Sequence, residues 1–304
     1  MQDNIENEQV LEQKRKSALI IEESNKSLKQ IMLPDLAVVD MLLVGRDTIL
    51  VADYNKRLLV FDACHLEKTM REIRLPEKPY GLTIVDEMLV AASVGHTKFQ
   101  IIDMRSEKIL QTTEVNLISE PSKSGENDSD EEIQKGYDVH GIRLWGLAYF
   151  NREFYFAAKN RILKVNDHGT SCETVLEIQD GWMFCIKIHN ERIFVTDNKK
   201  GYFLCLTLFG DIIFELKSSE LNRPYGFTLD SDESFLVADL LGNRIHKIKP
   251  DGSSSTIVLS INDDIVRPRT VLFIRHLGFY LIACDAGKKL IAVSTVSATD
   301  NGTT

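Results

Sequence analysis

Short apolar runs separated by polar turns govern this chain, and their alternation repeats. Each unit holds an apolar run ending in a small residue and often Asp, then a polar turn, then a second apolar run. The first runs are ILVAD (Ile49–Asp53), LVAAS (Leu89–Ser93), YFAAK (Tyr155–Lys159), IFVTD (Ile193–Asp197), FLVAD (Phe235–Asp239) and LIACD (Leu281–Asp285). The second runs are RLLVFD from Arg57, KFQIID from Lys98, RILKVN from Arg161, YFLCLT from Tyr202, RIHKIK from Arg244 and KLIAVS from Lys289. β-Branched and aromatic residues fill the runs, and Gly, Asn, Asp and Lys fill the gaps. That is strand-and-hairpin chemistry, and no unit carries a helical period.

The first runs end at residues 53, 93, 159, 197, 239 and 285, spacings of 40, 66, 38, 42 and 46. A further apolar run precedes each: LAVVDMLLV from Leu36, PYGLTIVD from Pro79, LWGLAYF from Leu144, WMFCIKI from Trp182, PYGFTLD from Pro224 and RTVLFIR from Arg269. Units one to five also end in an outer run: MREIRL, KILQTTEV, CETVLEI, DIIFELK and STIVLS. Four strands in about 40 residues, repeated radially, are the pattern of a β-propeller. The six units therefore predict an all-β, six-bladed β-propeller over residues 28–297. The sixth unit stops after three strands, near Ser297, which would leave an open sheet edge. Leu28–Leu33 (LKQIML) alternates as a strand should and is expected to close the ring beside Leu290–Val296. The competing reading makes it the end of an N-terminal helix.

Two segments stand outside the repeat. Residues 1–27 read as a helical tether. A heptad register places Leu11, Ala18, Asn25 and Met32 at a, with Lys14, Ile21 and Leu28 at d. This is either the end of a coiled coil, through which the chain self-associates, or a solvated helix. The long spacing contains an acidic loop insert, residues 116–140, in which seven acids face two lysines. Its charge of −5 leaves −4 of the chain's −9 for everything else, and its polarity predicts disorder. The polar tail, residues 298–304, is expected to be disordered too.

With 304 residues, 43% of them hydrophobic, the chain is long enough to bury a core without disulfides or metals. The polar start Met1–Glu12 and the absence of any run of 18 apolar residues argue against a signal peptide and a membrane span. Five scattered cysteines without a C-x-x-C pair indicate a reducing, cytoplasmic setting and no zinc finger. No metal and no cofactor are expected.

The fifth unit, RPYGFTLDSDESFLVADLLGNRIHKIKPDG (Arg223–Gly252), resembles an NHL repeat in its Pro-x-Gly, Val-Ala-Asp and Asn-Arg-Ile elements. VADYNKRLLVFD in unit one and PYGLTIVD in unit two share parts of the pattern; units three, four and six depart from it. An NHL-like propeller behind a helical segment is similar to the C-terminal part of tripartite-motif proteins. The resemblance implies a substrate- or partner-binding module of a RING ubiquitin ligase, or, as in some members, an RNA-binding propeller. The chain carries no RING or B-box cysteine and histidine cluster, so by itself it is expected not to be an enzyme, and it reads as a fragment, a truncated paralogue or a partial gene model. Gluconolactonase-type hydrolases and the amidating lyase have similar propellers. Against them, the inner runs carry Asp40, Asp86 and Asp230 but no Glu at a strand start, and the seven histidines show no H-x-H or H-E-x-x-H spacing.

Asp53, Asp197, Asp239 and Asp285 are expected to accept hydrogen bonds from turn amides, with Arg57 and Arg244 paired to such acids. Ser93 and Lys159 take the Asp position in units two and three. Function is expected at the channel mouth. Aligning the starts of the inner runs superposes Tyr80, Trp145, Trp182 and Tyr225; two residues earlier stand Lys78, Arg143, Asp180 and Arg223. The sixth unit adds Arg267 and Arg269. Aromatics ringed by five cations suit protein interfaces, and also stacking and phosphate contacts with single-stranded RNA. The partner-binding set is thus Lys78, Tyr80, Arg143, Trp145, Trp182, Arg223, Tyr225, Arg267 and Arg269. The expected partner is a protein or peptide with an acidic or phosphorylated segment, with RNA second and a hydrolase substrate third. The opposing reading packs the aromatics between blades and pairs the cations with nearby acids.

Overall fold

The alternating runs fold as strands because each has both faces in demand. In the computed structural model, which describes residues 29–32, 35–66, 70–117, 143–218 and 220–294, they form six antiparallel four-stranded sheets. Blade 1 is β2 (Val38–Val44), β3 (Thr48–Asp53), β4 (Arg57–Asp62) and β5 (Met70–Arg74). Blade 2 is β6 (Pro79–Asp86), β7 (Leu89–Val94), β8 (Lys98–Asp103) and β9 (Lys108–Glu114). Blade 3 is β10 (Leu147–Phe150), β11 (Glu153–Ala158), β12 (Arg161–Asn166) and β13 (Cys172–Glu177). Blade 4 is β14 (Met183–His189), β15 (Arg192–Asp197), β16 (Tyr202–Thr207) and β17 (Ile212–Lys217). Blade 5 is β18 (Pro224–Leu229), β19 (Phe235–Asp239), β20 (Arg244–Ile248) and β21 (Ser255–Leu259). Blade 6 is β22 (Thr270–Ile274), β23 (Phe279–Cys284) and β24 (Lys289–Ser294), completed by β1 (Lys29–Ile31).

The ring is closed twice. Inner strands β2, β6, β10, β14, β18 and β22 each touch the next, and β22 touches β2. On the outside, β1 adds to blade 6, with Lys29 opposite Ala292, Gln30 opposite Ile291 and Ile31 opposite Leu290. The apolar alternation of LKQIML thus supplies the missing strand. Residues 1–27, most of the acidic insert 116–140 and the tail 298–304 lie outside the described residues. Among the described residues the only helical elements are three 3₁₀ turns, at Ile261–Asp263, Arg275–Leu277 and Asp285–Gly287.

Apolar side chains on facing sheets fill each gap between blades. Ile31, Leu59, Leu281 and Leu290 lie between blades 6 and 1, and Leu58, Val60, Leu82 and Val90 between blades 1 and 2. Phe99, Phe154 and Phe156 fill the gap between blades 2 and 3, and Phe194, Phe203, Phe227 and Phe235 that between blades 4 and 5. Near the axis the inner strands run so close that only a hydrogen fits. A Cβ on Gly81 would lie 2.6 Å from the Trp145 carbonyl oxygen, and one on Gly146 2.6 Å from that of Phe184. Hydroxyls stitch the same layer: Ser93 donates to the Trp145 carbonyl at 2.7 Å and Thr196 to that of Tyr225 at 2.7 Å.

The register corrects the reading of the Asp position. Asp53, Asp197 and Asp239 pair with Val38, Met183 and Pro224 at the inner-strand starts. In blade 2 that place belongs to Val94, opposite Pro79, not to Ser93. Counting from Leu147–Phe156 and Val271–Ile282 gives Ala158 and Cys284 in blades 3 and 6, not Lys159 and Asp285. Ser93 sits one residue earlier, where a hydroxyl bridges blades. Asp285 is exposed at a φ of 51°, beyond the strand.

Candidate functional site

The inner strands begin on one face of the ring and end on the other. The starting face forms a mouth, and the pairing partners fix which residues are equivalent there. Pro79, Met183 and Pro224 all begin a bulged pairing, so Tyr80, Phe184 and Tyr225 are equivalent. Trp182 therefore does not superpose on Tyr80 and Trp145; Phe184 does. Trp182 stands two residues earlier, at the place taken by Lys78, Arg143 and Arg223, so Asp180 leaves that set. The Gly226 amide donates to the Arg269 carbonyl, which puts Arg269 itself at the aromatic position of blade 6. The ring of equivalent positions is Val39, Tyr80, Trp145, Phe184, Tyr225 and Arg269.

These side chains form a continuous aromatic layer. Ring centroids are 5.1 Å apart for Tyr80–Trp145, 5.3 Å for Trp145–Phe184 and 4.3 Å for Phe184–Tyr225. Tyr54, on the turn after β3, adds an edge contact to Tyr80 at 5.7 Å, and Trp182 lies 6.4 Å from Trp145. Tyr80, Trp145 and Tyr225 are only 4–5% exposed, so they are interior rings rather than an open stacking platform. Burial raises the Tyr80 hydroxyl's pKa and keeps it protonated.

The cations lie on the rings. The Lys78 ammonium is 4.1 Å from the Tyr54 centroid. The Arg143 guanidinium is 5.1 Å from both Tyr80 and Trp145 and contacts His96 Nε2 at 3.4 Å. That of Arg269 is 5.8 Å from Phe184 and 5.7 Å from Tyr225. Such contacts attract the cation through the ring quadrupole but leave its N–H groups to find acceptors. Arg223 and Arg267 sit at the rim; their amides donate to Asp239 and to the Asn243 side chain, each at 2.7 Å. The mouth thus combines both sequence readings: the aromatics pack inward, yet Lys78, Arg143 and Arg269 rest on them.

Arg269 is the unusual member. Burial pulls its pKa down, against the opposing influence of the Tyr225, Tyr54 and Tyr80 hydroxyls. Its Nε is buried with no hydrogen-bond partner, and no carboxylate among the described residues is within ion-pair distance of its guanidinium. A guanidinium with a buried, unpartnered nitrogen normally has one, because desolvating charge without compensation is costly. The arrangement can therefore offer planar donors to an anion at the mouth.

Deeper in the channel, Asp40 occupies the Gly81-equivalent place in blade 1. Its carboxylate accepts from the Leu82 and Met41 amides, both at 2.9 Å. Lys187 comes from blade 4, three blades away, with the Cys185 thiol nearby pushed up to about 12 by burial.

Sequence reasoning brought Lys78, Tyr80, Arg143, Trp145, Tyr225 and Arg269 to one place, but missed Tyr54 and Phe184. Tyr54 hides in a polar turn. In WMFCIKI the Gly that marks the inner strands of blades 2, 3 and 5 is Cys185, so the larger Trp182 drew the alignment two residues off.

The architecture is that of an all-β, six-bladed propeller. No family model matches the sequence, and no curated protein matches it. Solved structures do. A protein of unknown function from Bacteroides thetaiotaomicron superposes with a TM-score of 0.63 at 13% identity, covering 88% of this chain and 72% of that one. A catalytically inactive virginiamycin B lyase from Staphylococcus aureus, solved with quinupristin, gives 0.59 at 16% identity, covering 90% and 89%. The β-propeller domain of Cps50 (Swd1) from Myceliophteria thermophila gives 0.57 at 8% identity, covering 85% and 84%. At these identities the likeness is one of fold. No helix among the described residues is long and apolar enough to cross a membrane.

Proposed function

We propose that the chain is a non-enzymatic binding propeller whose mouth captures a protein or peptide through an acidic or phosphorylated group. The observation that carries this is the Arg269 guanidinium, laid on the faces of Phe184 and Tyr225 with its Nε shut away from partners and no carboxylate among the described residues within ion-pair distance. Arg143 on the neighbouring rings and Arg267 and Lys78 at the rim add positive charge for an approaching anion. RNA has less support, because base stacking needs free ring faces and Tyr80, Trp145 and Tyr225 have little exposed surface. A hydrolase or lyase reading rests on fold likeness alone. Service as the substrate-holding module of a tripartite-motif-type ligase rests on the resemblance in Arg223–Gly252.

The test is fluorescence anisotropy with a panel of phosphoserine, Asp/Glu-rich and neutral peptides at low salt. Binding of the anionic peptides is expected, weakened by about tenfold or more in Arg269→Gln, and weakened also in the rim double variant Arg223→Glu/Arg267→Glu. Cooperative melting of each variant separates lost binding from lost folding. Equal affinity for neutral peptides, or unchanged affinity in folded Arg269→Gln, sinks the reading. Capture of single-stranded RNA with a steep salt dependence, in place of peptide, favours the RNA alternative.

A further inference from the structure

On the face opposite the mouth, where inner strands end, three loops converge at the seam between blades 6 and 1. The β2–β3 turn brings Asp47, the segment after β4 brings Cys64, and the 3₁₀ turn between β22 and β23 brings His276. Asp47 and His276 are 229 positions apart in the chain. In the fold, His276 Nε2 lies 2.7 Å from Asp47 Oδ1, and Cys64 Sγ lies 3.7 Å from the same oxygen. One donor atom from each of the three lies within 4.8 Å of the other two.

We infer that Asp47, Cys64 and His276 form a divalent transition-metal site, best suited to zinc. A tetrahedral ion with ligands at about 2.0–2.3 Å holds its donors on the order of 3.5 Å apart. The Asp47–Cys64 separation already has that value; the shorter Asp47–His276 contact is a hydrogen bond that opens when an ion enters. A thiol, an imidazole and a carboxylate are a borderline-soft set, which selects against calcium and magnesium. Three protein ligands leave a fourth position for water.

The surroundings fix the thiol in place. Asp62 Oδ1 accepts the Cys64 amide at 2.8 Å, and its Oδ2 contacts His65 Nδ1 at 3.3 Å. That turn presents Cys64 toward Asp47, and His65 stands next in the chain as an outer imidazole. Desolvation, then the Asp47 and Asp62 carboxylates, push the Cys64 thiol's pKa up against the influence of Arg46, so it is the ion that must displace the thiol proton. An ion bound here would displace the Cys64 proton to solvent and take a lone pair from an uncharged His276 ring nitrogen. Because His276 belongs to blade 6 and the other two to blade 1, the ion would tie together the two blades between which the ring closes.

The full chain, reduced and freed of metal with a chelator, is titrated with Co²⁺ and then with Zn²⁺. The expected result is a thiolate-to-cobalt absorption band saturating at one equivalent and bleached by Zn²⁺. It should vanish in Cys64→Ser, persist in Cys172→Ser and need at least about tenfold more metal in His276→Ala. Zn²⁺ should raise the melting temperature of the parent and of Cys172→Ser but not of Cys64→Ser. All three substitutions are at surface or half-buried positions, and a cooperative melt verifies each fold. A band that survives in Cys64→Ser, no band in the parent, or a zinc-induced shift equal in parent and Cys64→Ser overturns the assignment.

Discussion

Asp239 shows at the residue scale how the repeat motif acts. Its Oδ1 accepts the Arg223 amide at 2.7 Å and the Gly242 amide at 3.1 Å; its Oδ2 accepts the Asn222 amide at 3.0 Å and faces His246 Nε2 at 3.6 Å. Burial alone would raise its pKa, but His246 and the three amides outweigh burial and hold it below the ordinary value of 3.8. A lowered folded-state pKa stabilises the protein above the unfolded value, and that contribution is lost as pH falls through the folded one. Asp239→Ala should cost about 3 kcal/mol at neutral pH, because turn amides lose their acceptor. The gap between parent and variant should narrow once pH drops below 3.8, as urea midpoints at neutral and acid pH would register. This role was legible in VAD, and Asp53 and Asp197 repeat it with the Asn55 and the Lys199 and Lys200 amides. Blades 2, 3 and 6 were misread by one residue, because Val94, Ala158 and Cys284 stand where the marker Asp stands elsewhere, and the neighbouring Ser93, Lys159 and Asp285 mimic it.

At the element scale, β1 is a strand of three residues that completes a sheet whose other strands begin 239 residues further along the chain. Ile31 explains how so short a strand holds: it is 2% exposed and packs with Leu281 and Leu290 in the seam between blades 6 and 1. Ile31→Ala should cost about 3 kcal/mol as a core truncation. Met32→Ala, at a position 47% exposed, should cost little. Ile31→Asp should go further, releasing the strand and leaving β24 as an open edge, so light scattering on warming should rise with the loss of thermal stability. Equal melting of Ile31→Ala and Met32→Ala would mean that the closure adds nothing. Closure was readable because alternation, an unfilled edge and chain order agreed. The blade 4 inner strand was not, because Cys185 replaces the glycine that marks this position in blades 2, 3 and 5.

The whole ring brings together what no local window contains. The net charge of −9 gave no sign of a mouth carrying Arg143, Arg267 and Arg269, nor of the loops that gather Asp47, Cys64 and His276. The channel holds the longest such relation, between Asp40 of blade 1 and Lys187 of blade 4. Burial raises the Asp40 pKa; Lys187 and the Leu82 and Met41 amides restrain the rise. For Lys187, burial pulls downward, but Asp40 and Cys185 outweigh it and the pKa ends above 10.5. Since the folded-state pKa of Asp40 exceeds its unfolded value of 3.8, its contribution favours folding below that value and is lost as pH rises through the folded pKa. Lys187→Met removes the restraint, moves Asp40 further upward and extends that loss toward neutral pH. The variant should therefore be less stable than the parent at neutral pH, with a difference that shrinks in acid. Asp40→Asn in the same chain should recover much of the loss. A double-mutant cycle of urea midpoints across pH should give a coupling on the order of 1–3 kcal/mol at neutral pH, falling as Asp40 takes its proton. Strict additivity at every pH would mean that the two charges do not act on each other across the axis.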